Sequence, residues 1–197
     1  MLIIIIIIII MFQPDIGRIE LIIGCMYSGK TSEIIRRIQM YKTLNIPVAI
    51  YTHSSDTRYA ESGHICTHSR ACISAHPVTN LTNIRNLEDY RNARVVFIEE
   101  AQFFSDLFDT VMDCVNIDHK TVIVSGLDGD FQMKPFMQIV QLIPCSETVM
   151  KLNALCKICG DGTLASFSKR IINSQERELV GSDGVYEAVC RKHFSDY

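Results

Sequence analysis

The sequence predicts an α/β fold, a parallel sheet flanked by helices with a small cysteine-bearing lobe after it, and three observations carry that prediction. Apolar runs without polar alternation recur along the first three quarters of the chain, helical stripes lie between them, and a glycine-bearing turn, "GCMYSGKT", joins the first run to the first stripe. Strands buried on both faces lose the usual in-and-out alternation, so such runs point to a parallel sheet covered on both sides.

The chain opens on "MLIIIIIIIIMFQPDIG", where Ile3 to Ile10 are identical. This run is too short to cross a bilayer, which takes ~20 residues, and it lacks a basic leader region and a small-residue cleavage site. Residues 1–16 are expected to be a low-complexity apolar extension. Two versions stay open: Met11 as the true start, or the isoleucines as an aggregation-prone β segment.

From Arg18 the elements follow in order. "IELII" (Ile19 to Ile23) is the first strand, and "TSEIIRRIQMYKTL" places Ile34, Ile35, Ile38, Tyr41 and Leu44 on one helical stripe that ends near Asn45 and Pro47. "VAIYT" (48–52), "RVVFI" (94–98) and "TVIVSG" (121–126) are further buried strands, with crossover helices expected over Thr82 to Tyr90 and Ser105 to Val115. After Leu152 the texture changes to cysteines, glycines and short polar segments. The expected organisation is therefore a core over 17–152 and a closely packed satellite over 153–197.

Composition narrows the partners. With a net charge of −3, 48% hydrophobic and 21% charged residues, the chain has the make-up of a soluble protein and no electrostatic bias toward nucleic acid or an anionic membrane. The eight cysteines are scattered through a chain too long to need staples, which argues against a disulfide scaffold and for a reducing compartment.

Gly24 to Thr31 match GxxxxGK[ST] between a strand and a helix, the context in which that motif cradles phosphate. Gly24 and Gly29 let the backbone of Cys25, Met26, Tyr27 and Ser28 curl so that its N–H groups face a phosphate chain at the positive end of the helix. Lys30 would reach the β/γ-phosphates and the Thr31 hydroxyl would face Mg²⁺. The core thus takes the form of a P-loop NTPase-type sheet that binds ATP or a close relative.

Such a sheet needs an acid at the end of a buried strand to hold the metal through its water shell, and "RVVFIEE" supplies Glu99. Glu100 should point the other way if the strand stays extended, toward the phosphoryl acceptor, where a carboxylate could take a hydroxyl proton. "CKIC" and "CRKH" add a CxxC…CxxH set, Cys156, Cys159, Cys190 and His193, whose three sulfurs and one imidazole suit a closed, structural Zn²⁺ site. "CTHSRAC", with Cys66, His68 and Cys72, is a weaker rival because it lacks a second ligand pair. Cys25, Cys114 and Cys145 are expected to act as small hydrophobes.

Taken together, "GCMYSGKTSEIIRRI", "DTRY", "CTHSR", "EEAQFF", "LDGDFQMKPF", "ASFSKR" and the CxxC…CxxH set resemble one family, the zinc-containing cytosolic-type (type II) thymidine kinases. The resemblance runs from about Gly17 to His193. It implies γ-phosphoryl transfer from ATP to the 5′-hydroxyl of thymidine, with Mg²⁺, and places the family's catalytic base at Glu100. It also implies a zinc-anchored lasso over about Ile171 to Tyr186 covering the nucleoside. Met26, Leu127 and Ser168 would surround the thymine methyl, with Phe103, Phe131 and Tyr186 as aromatic neighbours. Val180, Gly181 and Ser182 would bond the base through their main chain, and Arg58 and Arg170 would line the phosphate and sugar side. A cytoplasmic homotetramer inhibited by thymidine triphosphate is the family's usual form.

Some residues depart from the family pattern. Glu99 stands where aspartate is usual, Cys25 replaces a proline, and Ser168 replaces a common threonine. The chain ends four residues past His193, short of the C-terminal degradation tail of vertebrate members, which implies a viral or microbial source. Two other functions compete: a P-loop kinase for deoxyuridine or deoxycytidine, since one methyl discriminates by only ~1–3 kcal/mol, and a zinc-ribbon ATPase acting on nucleic acid. The second is opposed by the net charge and the lack of a basic stripe.

Overall fold

The computed structural model describes residues 16–55, 63–67, 71–174 and 184–195. The isoleucine run, "DTRY" with Arg58, His68, and Val180, Gly181 and Ser182 of the expected lasso lie outside them.

In chain order the core runs β1 (Arg18–Gly24), α1 (Lys30–Thr43), β2 (Val48–His53), β3 (His64–Cys66), β4 (Cys72–Ser74), β5 (His76–Val78), α2 (Glu88–Asn92), β6 (Val95–Glu99), α3 (Leu107–Asn116), β7 (Thr121–Gly126), α4 (Met137–Val140) and β8 (Thr148–Leu152). Six of these strands form one sheet in the order β5-β2-β6-β7-β1-β8, with every pair parallel. After it come β9 (Ala154–Leu155), β10 (Leu164–Ala165), β11 (Phe167–Arg170), β12 (Tyr186–Val189) and α5 (Arg191–Ser195), where β9 pairs with β10 and β11 with β12.

The unbroken apolar runs have a direct cause. Ile19, Leu21 and Ile23 of β1, Val96 and Ile98 of β6, and Val122 and Val124 of β7 pack with Leu107 and Val111 of α3. The residues between them, Ile22, Val95, Phe97 and Ile123, pack with Ile34, Ile35 and Ile38 of α1. Both faces are covered, so both sets of alternate side chains must be apolar.

The expected helix over Thr82 to Tyr90 is corrected. A 3₁₀ turn (Ile84–Asn86) and the short α2 take its place, separated by an extended Leu87 (φ −81°, ψ 146°). Asp106 supplies part of the reason: its Oδ2 accepts the N–H groups of Leu81 and Thr82 and the Thr82 hydroxyl at 2.7–2.8 Å, holding this entry in a turn. Cys66 and Cys72 correct a second expectation. They face each other across the β3–β4 hairpin, with Cα atoms 4.2 Å apart, and are joined as a disulfide. They are therefore neither a thiol pair nor ligands of a rival metal cluster. Among the described residues no helix is long and apolar enough to cross a membrane.

Candidate active site

The carboxyl ends of the neighbouring strands β6, β7 and β1 carry the chemistry, as open α/β sheets generally arrange it. Gly24 ends β1 at φ +148°, and a Cβ there would sit 2.2 Å from the carbonyl oxygen of Leu152. Only glycine lets β8 approach this closely. Tyr27 (φ 62°) and Gly29 (φ 88°) take left-handed backbone, which curls the loop before α1 begins at Lys30. The Lys30 ammonium folds back on that loop, donating to the Cys25 carbonyl at 2.8 Å. The loop thus presents a helix N-terminus and a lysine to one point, an anion-binding arrangement.

Glu99 and Glu100 are both buried, at 3% and 9% exposure. The Thr31 hydroxyl donates to Glu99 Oε1 at 2.6 Å, so the loop and the acid at the end of β6 are already in register. Glu99 Oε2 and the Ser125 hydroxyl at the end of β7 are buried together, near enough for the hydroxyl to favour the charged carboxyl, with no other hydrogen-bond partner among the described residues. Burial first, and the neighbouring charge of Glu100 second, push the Glu99 carboxyl up to about 7. A carboxylate this costly to ionise, with one oxygen left over and a hydroxyl on the other, suits an oxygen-seeking cation. Thr31 and Glu99 are the residues that could hold Mg²⁺.

The extended geometry expected at Glu100 does not persist. Strand β6 stops at Glu99, and Glu100 turns into left-handed backbone (φ 53°, ψ 40°) as the cap of a 3₁₀ turn, Ala101–Phe103. After the backbone reversal the two acids have different partners, Thr31 for Glu99 and Gln102 for Glu100. Gln102, which sequence reasoning passed over, lies in this turn at 6% exposure and donates through Nε2 to Glu100 Oε2. The signal for it was a polar residue between Ala101 and two phenylalanines.

Other expected site residues gather in two groups. Phe131, Arg170 and Tyr186 meet: the Arg170 guanidinium lies 3.8 Å over the Phe131 ring and donates to the Tyr186 hydroxyl. Asp130 shapes the turn that presents Phe131 by accepting the N–H groups of Gln132 and Lys134, each at 2.9 Å. Ser168 joins the phosphate loop, its hydroxyl accepting the Met26 N–H at 2.9 Å. Leu127 directly follows β7, and Phe103 lies beside His53, ring centroids 5.6 Å apart.

Cys156, Cys159, Cys190 and His193 bring one ligand atom each to within 4.8 Å of one another. The three Cys Sγ to His193 Nδ1 separations are 3.5, 3.3 and 3.5 Å, and Cys159 and Cys190 are 3.8 Å apart. A tetrahedron with metal–sulfur bonds of ~2.3 Å has sulfur–sulfur edges of ~3.8 Å, so the donor set fits Zn²⁺. The cluster belongs to an apolar group that includes Ala154, Ala165, Ala188, Val189 and Phe194, and also Cys25 and Tyr27 of the phosphate loop.

Comparison with known proteins agrees with this geometry. The family described as "Thymidine kinase" matches residues 17–194. Monkeypox virus thymidine kinase is 41% identical over 180 residues, covering 91% of this chain and 98% of its own length. Myxoma virus (strain Uriarra) thymidine kinase is 39% identical over 176 residues, covering 89% and 95%. Thymidine kinase 1 of Dictyostelium discoideum is 39% identical over 178 residues, covering 89% and 76%. A family match across the core and the cysteine cluster alike, with the two viral relatives aligned over nearly their full length, makes this chain a member of the thymidine kinase family.

Proposed function

We propose that this chain is a thymidine kinase that transfers the γ-phosphoryl group of ATP to the 5′-hydroxyl of thymidine, giving thymidine monophosphate and ADP. The observation that carries the reading is the register of the phosphate loop with the two buried acids, fixed by the Thr31–Glu99 hydrogen bond. Gly24 to Thr31 hold the phosphates, Lys30 leaving the Cys25 carbonyl for the β/γ oxygens. Thr31 and Glu99 hold Mg²⁺, which when bound neutralises charge on the transferring group. Glu100 orients the 5′-hydroxyl and accepts its proton late in transfer. Phosphoryl transfer of this kind depends mostly on positioning, which suits a site built from short buried contacts.

Met26, Phe103, Leu127, Phe131, Ser168 and Tyr186 line the nucleoside, and Arg170 serves its sugar and phosphate side. Arg58, Val180, Gly181 and Ser182 complete the set. A structural Zn²⁺ on Cys156, Cys159, Cys190 and His193 closes the satellite lobe, 153–197, on itself, and the lobe packs on the core over 17–152. A cytoplasmic homotetramer with thymidine triphosphate as feedback inhibitor is part of the same proposal.

The test is a panel of nucleosides with labelled ATP and the purified chain. Thymidine should be phosphorylated in preference to deoxycytidine, and equal or reversed turnover would overturn the substrate assignment.

A further inference from the structure

The geometry points to Gln102 as a positioning residue that aims Glu100 and ties it to the strand end at which the nucleoside pocket begins. The inference rests on the proposed role of Glu100 and adds a residue to it. Gln102, itself buried, makes two hydrogen bonds with opposite polarity: its Oε1 accepts the N–H of Leu127 at 3.0 Å, and its Nε2 donates to Glu100 Oε2. The Leu127 N–H can only donate, so it fixes which end of the amide is oxygen and leaves the NH₂ facing the carboxylate. Gln102 therefore spans the carboxyl ends of β6 and β7, with Glu100 on one side and the first residue after β7 on the other.

Two further facts show that the amide is held. Gly126 leaves no room beside it, since a Cβ there would lie 2.9 Å from Gln102 Oε1 and 2.5 Å from Ile139 Cδ1. Glu100 itself sits in left-handed backbone, a conformation that costs a non-glycine residue of order 1–3 kcal/mol and persists only where surrounding contacts over-determine it. Gln102 is one such contact. Catalytic groups need their geometry held within about 0.5 Å, by side chains that are themselves locked by packing and hydrogen bonds.

The test is a double-mutant cycle on the full chain: wild type, Glu100→Gln, Gln102→Met, Gln102→Glu, and the Glu100→Gln/Gln102→Met double variant. Met keeps the length and loses both hydrogen bonds. Ionised Glu keeps an acceptor for the Leu127 N–H but replaces the donation to Glu100 with repulsion between two carboxylates, so it stands in if Met fails to fold. Each Gln102 variant should lower kcat about 10–100-fold, with the KM for ATP within about twofold of wild type. The double variant should be no slower than Glu100→Gln alone, because Gln102 acts through Glu100. Gln102→Glu with full kcat, or losses that multiply in the double variant, would overturn the assignment. The cycle uses whichever nucleoside the wild-type chain phosphorylates fastest, so a failed thymidine preference would sink the proposed substrate without deciding this question.

Discussion

Replacing Glu99 by glutamine should stabilise the metal-free, nucleotide-free protein at alkaline pH, although it removes a carboxylate from the active site. The wild-type carboxyl is pushed up to about 7, first by burial and then by the charge of Glu100. Because the folded pKa lies above the unfolded one, the folded chain holds the proton more tightly. That contribution is fully present below about 4.5 and is lost as pH rises through about 7. The separation, at ~1.4 kcal/mol per tenfold, amounts to about 3 kcal/mol of ionisation penalty at pH 8. Glutamine escapes it, still offers an acceptor to the Thr31 hydroxyl, and can give its NH₂ to the Ser125 hydroxyl in the same pocket. For a chain of this length about 3 kcal/mol corresponds to roughly 6–12 °C in Tm. The assay is thermal denaturation of both proteins with chelator from pH 4.5 to 8.5: the curves should converge at the acid end, draw apart between about pH 4.5 and 7, and keep their full separation above that, with the variant higher. Added Mg-ATP should raise the Tm of wild type more than that of the variant. A variant that melts at or below wild type at pH 8 in chelator would refute the reasoning, because burial would then impose no penalty on the charge.

Two further outcomes follow from the geometry. Gly24→Ala forces a Cβ to 2.2 Å from the Leu152 carbonyl and leaves alanine at φ +148°, so it should cost about 2–5 kcal/mol and abolish ATP binding, measurable by denaturant titration and calorimetry. Cys156→Ser should reduce bound zinc from near one equivalent to well under half by metal analysis, and should lower Tm because the metal's binding energy is folding energy for the lobe.

The parts of the fold that were legible in the sequence are those where one physical requirement acted on many residues at once. A sheet covered on both faces leaves β1, β2, β6 and β7 predominantly apolar, and a phosphate loop leaves two glycines and a lysine at fixed spacing. The edge strand β8 was missed because it is mostly exposed, with Val149 and Met150 open to solvent, and so lacks the buried-strand signature. The turn at Leu81 and Thr82, where a helix was expected to begin, was hidden because it depends on Asp106, 25 and 24 residues further along the chain, which no local pattern encodes. In the site, the residue types at 99 and 100 were legible. The left-handed turn at Glu100 was not, since glutamate has no special preference for that conformation and tertiary contacts impose it. Gln102 was obscured for the same reason: its two partners, Glu100 and Leu127, directly follow the ends of two different strands.

The sharing of one apolar group between the phosphate loop and the cysteine lobe bears on how such a chain can be rearranged. Cys25 and Tyr27 take their cover from Ala154, Ala165 and Val189, while Met26 gives its N–H to Ser168. A core cut off after Leu152 would keep every residue of its nucleotide motif yet expose the underside of that loop to water. The lobe is therefore not a detachable cassette: recombination that swapped it would have to carry a matching loop, and the two should be inherited as one unit.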